Sequence, residues 1–161
     1  MKKDWPYRIE EVEEKINNIY EVETINETDY IKNMEEQITI VTLKEKINLP
    51  EYYKIEITNI DGIILTDMQN IGTGSTITIK KENNEIIKSY KVVVKGDIDG
   101  NGTVNFVDII KLIQYVYDPE ENFEWVETIK KAGKVTSTVG TPGFADIMLM
   151  IRYVFEGVNW K

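Results

Sequence analysis

The run Asp97-Ile-Asp99-Gly-Asn101-Gly102-Thr103-Val-Asn105-Phe-Val-Asp108 sets oxygen-bearing side chains at positions one, three, five, nine and twelve of a twelve-residue loop. No other feature limits the chain so sharply. A hard cation such as calcium takes about six to eight oxygen ligands, and such loops supply carboxylates at alternate positions, a backbone carbonyl at position seven and an acid at twelve. Asp97, Asp99, Asn101, Asn105 and Asp108 fill the side-chain places, and Thr103 offers the carbonyl. Gly102 falls at position six, where the sharp turn calls for a positive φ that glycine adopts without strain. The last ligand is Asp where Glu is commoner, so the shorter side chain must approach the ion more closely.

Beyond the loop, Ile109, Leu112, Ile113 and Val116 recur at helical spacing, so a helix over 106–117 is expected. The preceding segment, 85–95, is rich in β-branched and aromatic residues and reads as a strand. The entering helix of a paired calcium sensor is therefore missing, and a switch that opens two helices is not expected.

The loop and helix recur thirty-eight residues later. Gly102, Thr103, Phe106, Asp108, Ile109, Ile113, Tyr115 and Val116 align with Gly140, Thr141, Phe144, Asp146, Ile147, Ile151, Tyr153 and Val154. On these residues the stretch from about 96 to 157 resembles a dockerin, the duplicated calcium-loop and helix module of clostridial cellulosomes that plugs into a cohesin domain. The second copy departs from that pattern. Val135, Ser137, Val139 and Gly143 stand where acids or amides belong, Pro142 follows Thr141, and only Asp146 remains as a carboxylate. One charged ligand does not offset the dehydration of a divalent ion, so one calcium per chain is expected.

The resemblance implies a non-catalytic role: binding a cohesin to anchor a parent protein in a cellulosome-like or cell-surface assembly. The alternative is a calcium-stabilised structural module of an extracellular protein with no cohesin partner. Carried over residue by residue, the family's partner contacts fall on Phe106, Val107, Ile110, Lys111 and Gln114 in the first repeat and on Phe144, Ala145, Met148, Leu149 and Arg152 in the second. Phe106 and Phe144 have a second reading, packing inward over the opposite loop. The inner faces expected are Ile109, Leu112, Ile113 and Val116 against Ile147, Met150, Ile151 and Val154, with Phe123, Val126, Ile129 and Ala132 of a middle helix covering both. That middle helix is expected from a cap at Asn122 to Gly133, after a linker over Asp118-Pro119-Glu120-Glu121. Val107, Ile110, Ala145, Met148 and Leu149 then leave more apolar surface than solvent requires, either for a partner or for cover by the preceding module, Trp5 or Trp160.

Composition narrows the function classes. The chain has neither histidine nor cysteine, which removes disulfides, thiol nucleophiles, histidine acid–base chemistry and the usual zinc sites. Its net charge of −9, with no basic run, argues against nucleic acid or an anionic membrane as partner. No apolar stretch reaches transmembrane length, and Asp4, Trp5 and Pro6 follow Met1-Lys-Lys where the apolar part of an export signal would begin. Because the family acts outside the cell, the resemblance implies a piece of a longer secreted or surface-attached protein.

Residues 1–19 read as an N-terminal helix or linker, 20–95 as a β-rich domain and 96–161 as the dockerin. β-Favouring runs at 20–22, 30–34, 52–58, 63–66, 76–81 and 86–94, with a capping box at Thr42-Leu-Lys-Glu45 opening a short helix to Leu49, predict a small α+β module. An immunoglobulin-like sandwich is the alternative. This half resembles the X modules that precede dockerins, through its Ile71-Gly-Thr-Gly turn and a closing strand that runs into the calcium loop. The expected architecture is thus an α+β module followed by an all-α dockerin with EF-hand-like motifs, joined rigidly because Gly96 follows Lys95 without a linker. The 71–76 segment lacks the Gly-Lys-Ser/Thr ending of a phosphate loop and reads as a turn between strands.

Overall fold

Why the chain folds around one sheet is clearest at Val92-Val93-Val94, an apolar run with no polar alternation. Such a strand is buried on both faces. In the computed structural model, which describes residues 6–118, 127–136 and 140–160, these three residues end the strand β5 and are all buried. The strands are β1 (Val22–Ile25), β2 (Thr28–Met34), β3 (Lys54–Thr58), β4 (Thr76–Lys80) and β5 (Ile86–Val94). They form a single sheet in the order β1-β2-β5-β4-β3, antiparallel at every seam except β2–β5, which is parallel.

Helices α1 (Ile9–Asn17) and α2 (Ile40–Ile47) precede the middle of the sheet, and α3 (Phe106–Tyr117), α4 (Glu127–Gly133) and α5 (Phe144–Glu156) follow it. One apolar cluster joins Val12 and Ile16 of α1 and Leu43 of α2 to Ile31, Ile77, Tyr90, Val92 and Val94. Val93, pointing to the other face of β5, joins Ile98, Ile109, Leu112, Ile129, Ala132, Ile147 and Met150 in a second cluster. Helix α4 packs on β5, and the Gly96 amide donates to the Ala132 carbonyl at 2.8 Å.

This corrects the expected architecture. The chain is a mixed α/β protein built on one five-stranded sheet, neither an immunoglobulin-like sandwich nor a small module followed by a self-standing all-α unit. The helices after residue 96 bury their apolar faces partly on the sheet, through Val93 and the half-buried Tyr30. The physical reason lies in the alternation of side chains along a strand. Val93 faces away from Val92 and Val94, so together with Tyr30 it seats the later helices on the other face of the sheet.

Smaller corrections follow the same logic. Helix α2 is capped by Thr39, whose hydroxyl accepts from the Thr42 amide at 3.3 Å, so Thr42 lies inside the helix rather than at its cap. The helix stops at Asn48, which takes a left-handed conformation two residues before Pro50. Residues 63–66 form no strand and contribute an isolated bridge from Ile64 to Thr58. The first strand begins at Val22 rather than Tyr20. Trp5, the 119–121 linker, the Asn122 cap, Phe123, Val126, Ser137 and Val139 lie outside the described residues.

Candidate metal centre and the exposed helix face

Strand β5 delivers the chain directly into the 97–108 loop, and the loop closes on itself through its two terminal acids. Asp108 accepts from the amides of Ile98 at 2.8 Å and Asp99 at 3.0 Å through one oxygen, and from Asn105 at 2.8 Å through the other. Asn105 caps α3 in return, its Oδ1 taking the Val107 amide at 2.8 Å. Asp97 accepts from Gly100 at 3.1 Å and Gly102 at 3.0 Å. Gly102 sits at φ +81°, the left-handed turn expected at position six.

A third donor to Asp97 comes from the sheet half. The Thr73 amide, in the turn before β4, lies 2.8 Å from Asp97 Oδ2, while the Thr73 hydroxyl bonds the Val94 carbonyl at 3.1 Å. Close approach here depends on Gly72. A Cβ at that position would fall 2.0 Å from the Gly100 carbonyl oxygen. The segment 71–76 is thus a buttress of the acidic loop, a role that no sequence motif announces. Glu36 is a second unannounced contributor, accepting from the Val104 amide at 2.5 Å and from the Tyr153 hydroxyl. Gln37 also donates its amide to the Gly102 carbonyl at 2.8 Å.

The outcome is a cluster in which Asp97, Asp99 and Asp108 each present a carboxylate oxygen, all within 4.8 Å of one another. Asp97 and Asp108 are fully buried. Burial, reinforced by Asp108 and Asp99 and opposed by the Thr73 and Gly102 amides, pushes the Asp97 carboxyl up to about 7. Burial likewise raises Asp108, against its three amide donors. None of the ion pairs among the described residues involves these three acids. Converging, buried carboxylates with no countercharge are costly unless a cation joins them. The donor set is all oxygen, so the cluster fits a hard metal ion.

The remaining loop residues make local bonds. Asn101 accepts the Thr103 amide at 2.8 Å through Oδ1 and donates Nδ2 to Asp99 at 3.0 Å; it is exposed, and Thr103 is half-buried.

On the helices, Phe106, Val107, Ile110, Lys111 and Gln114 of α3 and Phe144, Ala145, Met148 and Arg152 of α5 are exposed, and Leu149 is half-buried. Ile109 and Leu112 face Ile147 and Met150 in the core as expected, but Ile113 is 39% exposed and extends the outer face. Phe106 meets Phe155 edge-on at 6.0 Å, so the start of α3 lies beside the end of α5 and the two helices run antiparallel. Both rings stay more than half exposed, which leaves Phe106 on the surface rather than folded over the opposite loop. Trp160 stacks on Tyr153 at 3.8 Å and lies against Gly96; it lines a cavity with the half-buried Leu149, while Met148 and Phe144 remain exposed.

No family model matches this chain, no curated protein is detectably similar to it, and no solved structure matches its fold.

Proposed function

We propose that this is a non-catalytic docking protein in which calcium holds the 97–108 loop and the start of α3, while the outer face of α3 and α5 binds a cohesin. The observation that carries the reading is the direct coupling of the two features: Asp108, a member of the buried acid cluster, is also the third residue of α3. A cation there fixes the helix that displays Phe106, Val107 and Ile110. The ion is calcium, one per chain, since the loop's oxygen positions match a calcium loop and its shorter twelfth residue draws the helix towards the ion. An exposed apolar face with Lys111, Gln114 and Arg152 around it has the composition of a partner site with a polar rim. Such a protein would serve outside the cell, attaching its parent polypeptide to a scaffold.

Titration calorimetry against a panel of cohesins, with calcium and with chelator, tests this. Calcium-dependent binding to at least one member is expected, and failure to bind any member with calcium present overturns the docking role. The second reading, a structural module in which calcium only stiffens the fold, is favoured by one observation: the acidic loop is bonded into the sheet half through Thr73, Glu36 and Gln37. It predicts full calcium dependence of stability with no cohesin binding.

A further inference from the structure

Where it is described, the second loop repeats two of the backbone bonds that the first makes to its terminal acid. Asp146 Oδ1 accepts the Thr136 amide at 2.9 Å, as Asp108 Oδ1 accepts that of Ile98 at 2.8 Å. Asp146 Oδ2 accepts the Gly143 amide at 2.9 Å, as Asp108 Oδ2 accepts that of Asn105 at 2.8 Å. The capping residues share their backbone conformation, with φ −149° and ψ −170° at Asn105 and φ −145° and ψ −166° at Gly143. Gly140 has a positive φ, as Gly102 does. Both terminal acids are completely buried.

They differ in charge environment. Asp108 faces two more acids and no cation, whereas the Lys134 ammonium lies 3.1 Å from Asp146 Oδ2. Lys134 also bonds the Thr136 hydroxyl at 3.1 Å, and that hydroxyl bonds Asp146 at 2.8 Å, so the lysine, the threonine and the acid close a ring. Lys134 occupies the position of Gly96 in the repeat, one residue ahead of the loop, and reaches back over it. We infer that the Lys134 ammonium is an internal substitute for the metal of the second loop, closing it on Asp146 and fixing the start of α5 without any ion. The electrostatics agree: against its burial, Asp146 is held below the ordinary carboxylate range by the Thr136 and Gly143 amides, the Thr136 hydroxyl and Lys134.

The consequence is a chain with two differently controlled ends to its exposed helix face. The start of α3, with Phe106 and Val107, answers to a cation from solution, while the start of α5, with Phe144 and Ala145, is locked by the chain's own lysine. A lysine suits this role because its single charge on a flexible stem needs no shell of ligands. The inference rests on the metal reading of the first loop only for that contrast, since the Lys134–Asp146 geometry stands alone.

The test is thermal unfolding of the full chain and of Lys134→Met, Asp146→Asn, the double variant and Asp97→Ala, each with calcium and with chelator. Lys134→Met should melt about 5 °C or more below the parent, by the same amount in both solutions, and the double variant should lose no more than the worse single one. Asp97→Ala should differ from the parent in calcium and much less in chelator. A Lys134→Met protein that melts with the parent, or losses that add fully in the double variant, overturns the inference. If chelation and Asp97→Ala leave the parent's melting unchanged while the Lys134 effects stand, the metal reading fails and the lysine lock survives. Should Lys134→Met not fold, hydrogen exchange on the parent in chelator decides: protected Thr136 and Gly143 amides support the lock, and unprotected ones overturn it.

Discussion

If the acid cluster holds calcium as proposed, removing it should destabilise the whole chain and not only the residues after 96. Three carboxylates lie within 4.8 Å of one another, and at an effective dielectric constant of about 20 each charged pair at that distance costs roughly 3–4 kcal/mol. Without a cation the loop relieves this by taking up a proton, opening, or both. If calcium stands about 1,000-fold above its dissociation constant, mass action contributes about 4 kcal/mol. For a chain of 161 residues that corresponds to roughly 10 °C of melting temperature. The sign of the pH dependence is also fixed. Asp97 is raised from 3.8 to about 7 in the ion-free fold, so between those values the folded state binds more protons than the unfolded one, and ion-free stability falls as pH rises. Calcium displaces that proton, so the calcium-induced rise in melting temperature should grow across the same window. Scanning calorimetry with calcium and with chelator at several pH values reads both effects. Hydrogen exchange adds a spatial check, since the Thr73 amide, bonded to Asp97 from the sheet half, should lose protection on chelation. Identical melting in the two solutions at neutral pH would refute the reasoning.

Gly72→Ala should be strongly destabilising, by about 3 kcal/mol or more, and should weaken calcium binding, because its Cβ would fall 2.0 Å from the Gly100 carbonyl oxygen; urea unfolding and calorimetric titration check this. Met148→Asp and Ile110→Asp, both on exposed positions, should abolish cohesin binding by at least ~2 kcal/mol while circular dichroism and melting stay near the parent's. Calorimetry or anomalous scattering should find one calcium per chain, and a second well-occupied ion on Asp146 would contradict the lysine-closed loop. Asp146, held below the ordinary carboxylate range, stabilises the fold above that range and loses its contribution as pH falls through its folded value; Asp146→Asn should therefore flatten the acid limb of a melting-temperature profile.

The acidic loop was legible because its chemistry is local. Spacing alone brings Asp97, Asp99 and Asp108 to one point, since a twelve-residue loop with glycine at its turn has few ways to fold. Helical periodicity likewise marked α3 and α5 and separated Ile109 and Leu112 from Ile110 and Val107. What stayed hidden depends on contacts between residues distant in sequence. Thr73 and Glu36 bond the loop through ordinary amide and carboxylate groups that carry no pattern, and Val93 joins the helices only because it faces the opposite side of β5 from Val92 and Val94. Lys134 belongs to the same class. In sequence it is one charge beside a loop stripped of ligands; only folding brings its ammonium to the one acid that remains. The sequence by itself determined which loop gathers anionic oxygens and which helices follow, because those are short-range consequences of residue type and spacing. Tertiary structure decided that one sheet serves both halves, and which groups brace or neutralise each loop, because such partners are chosen by distance in space.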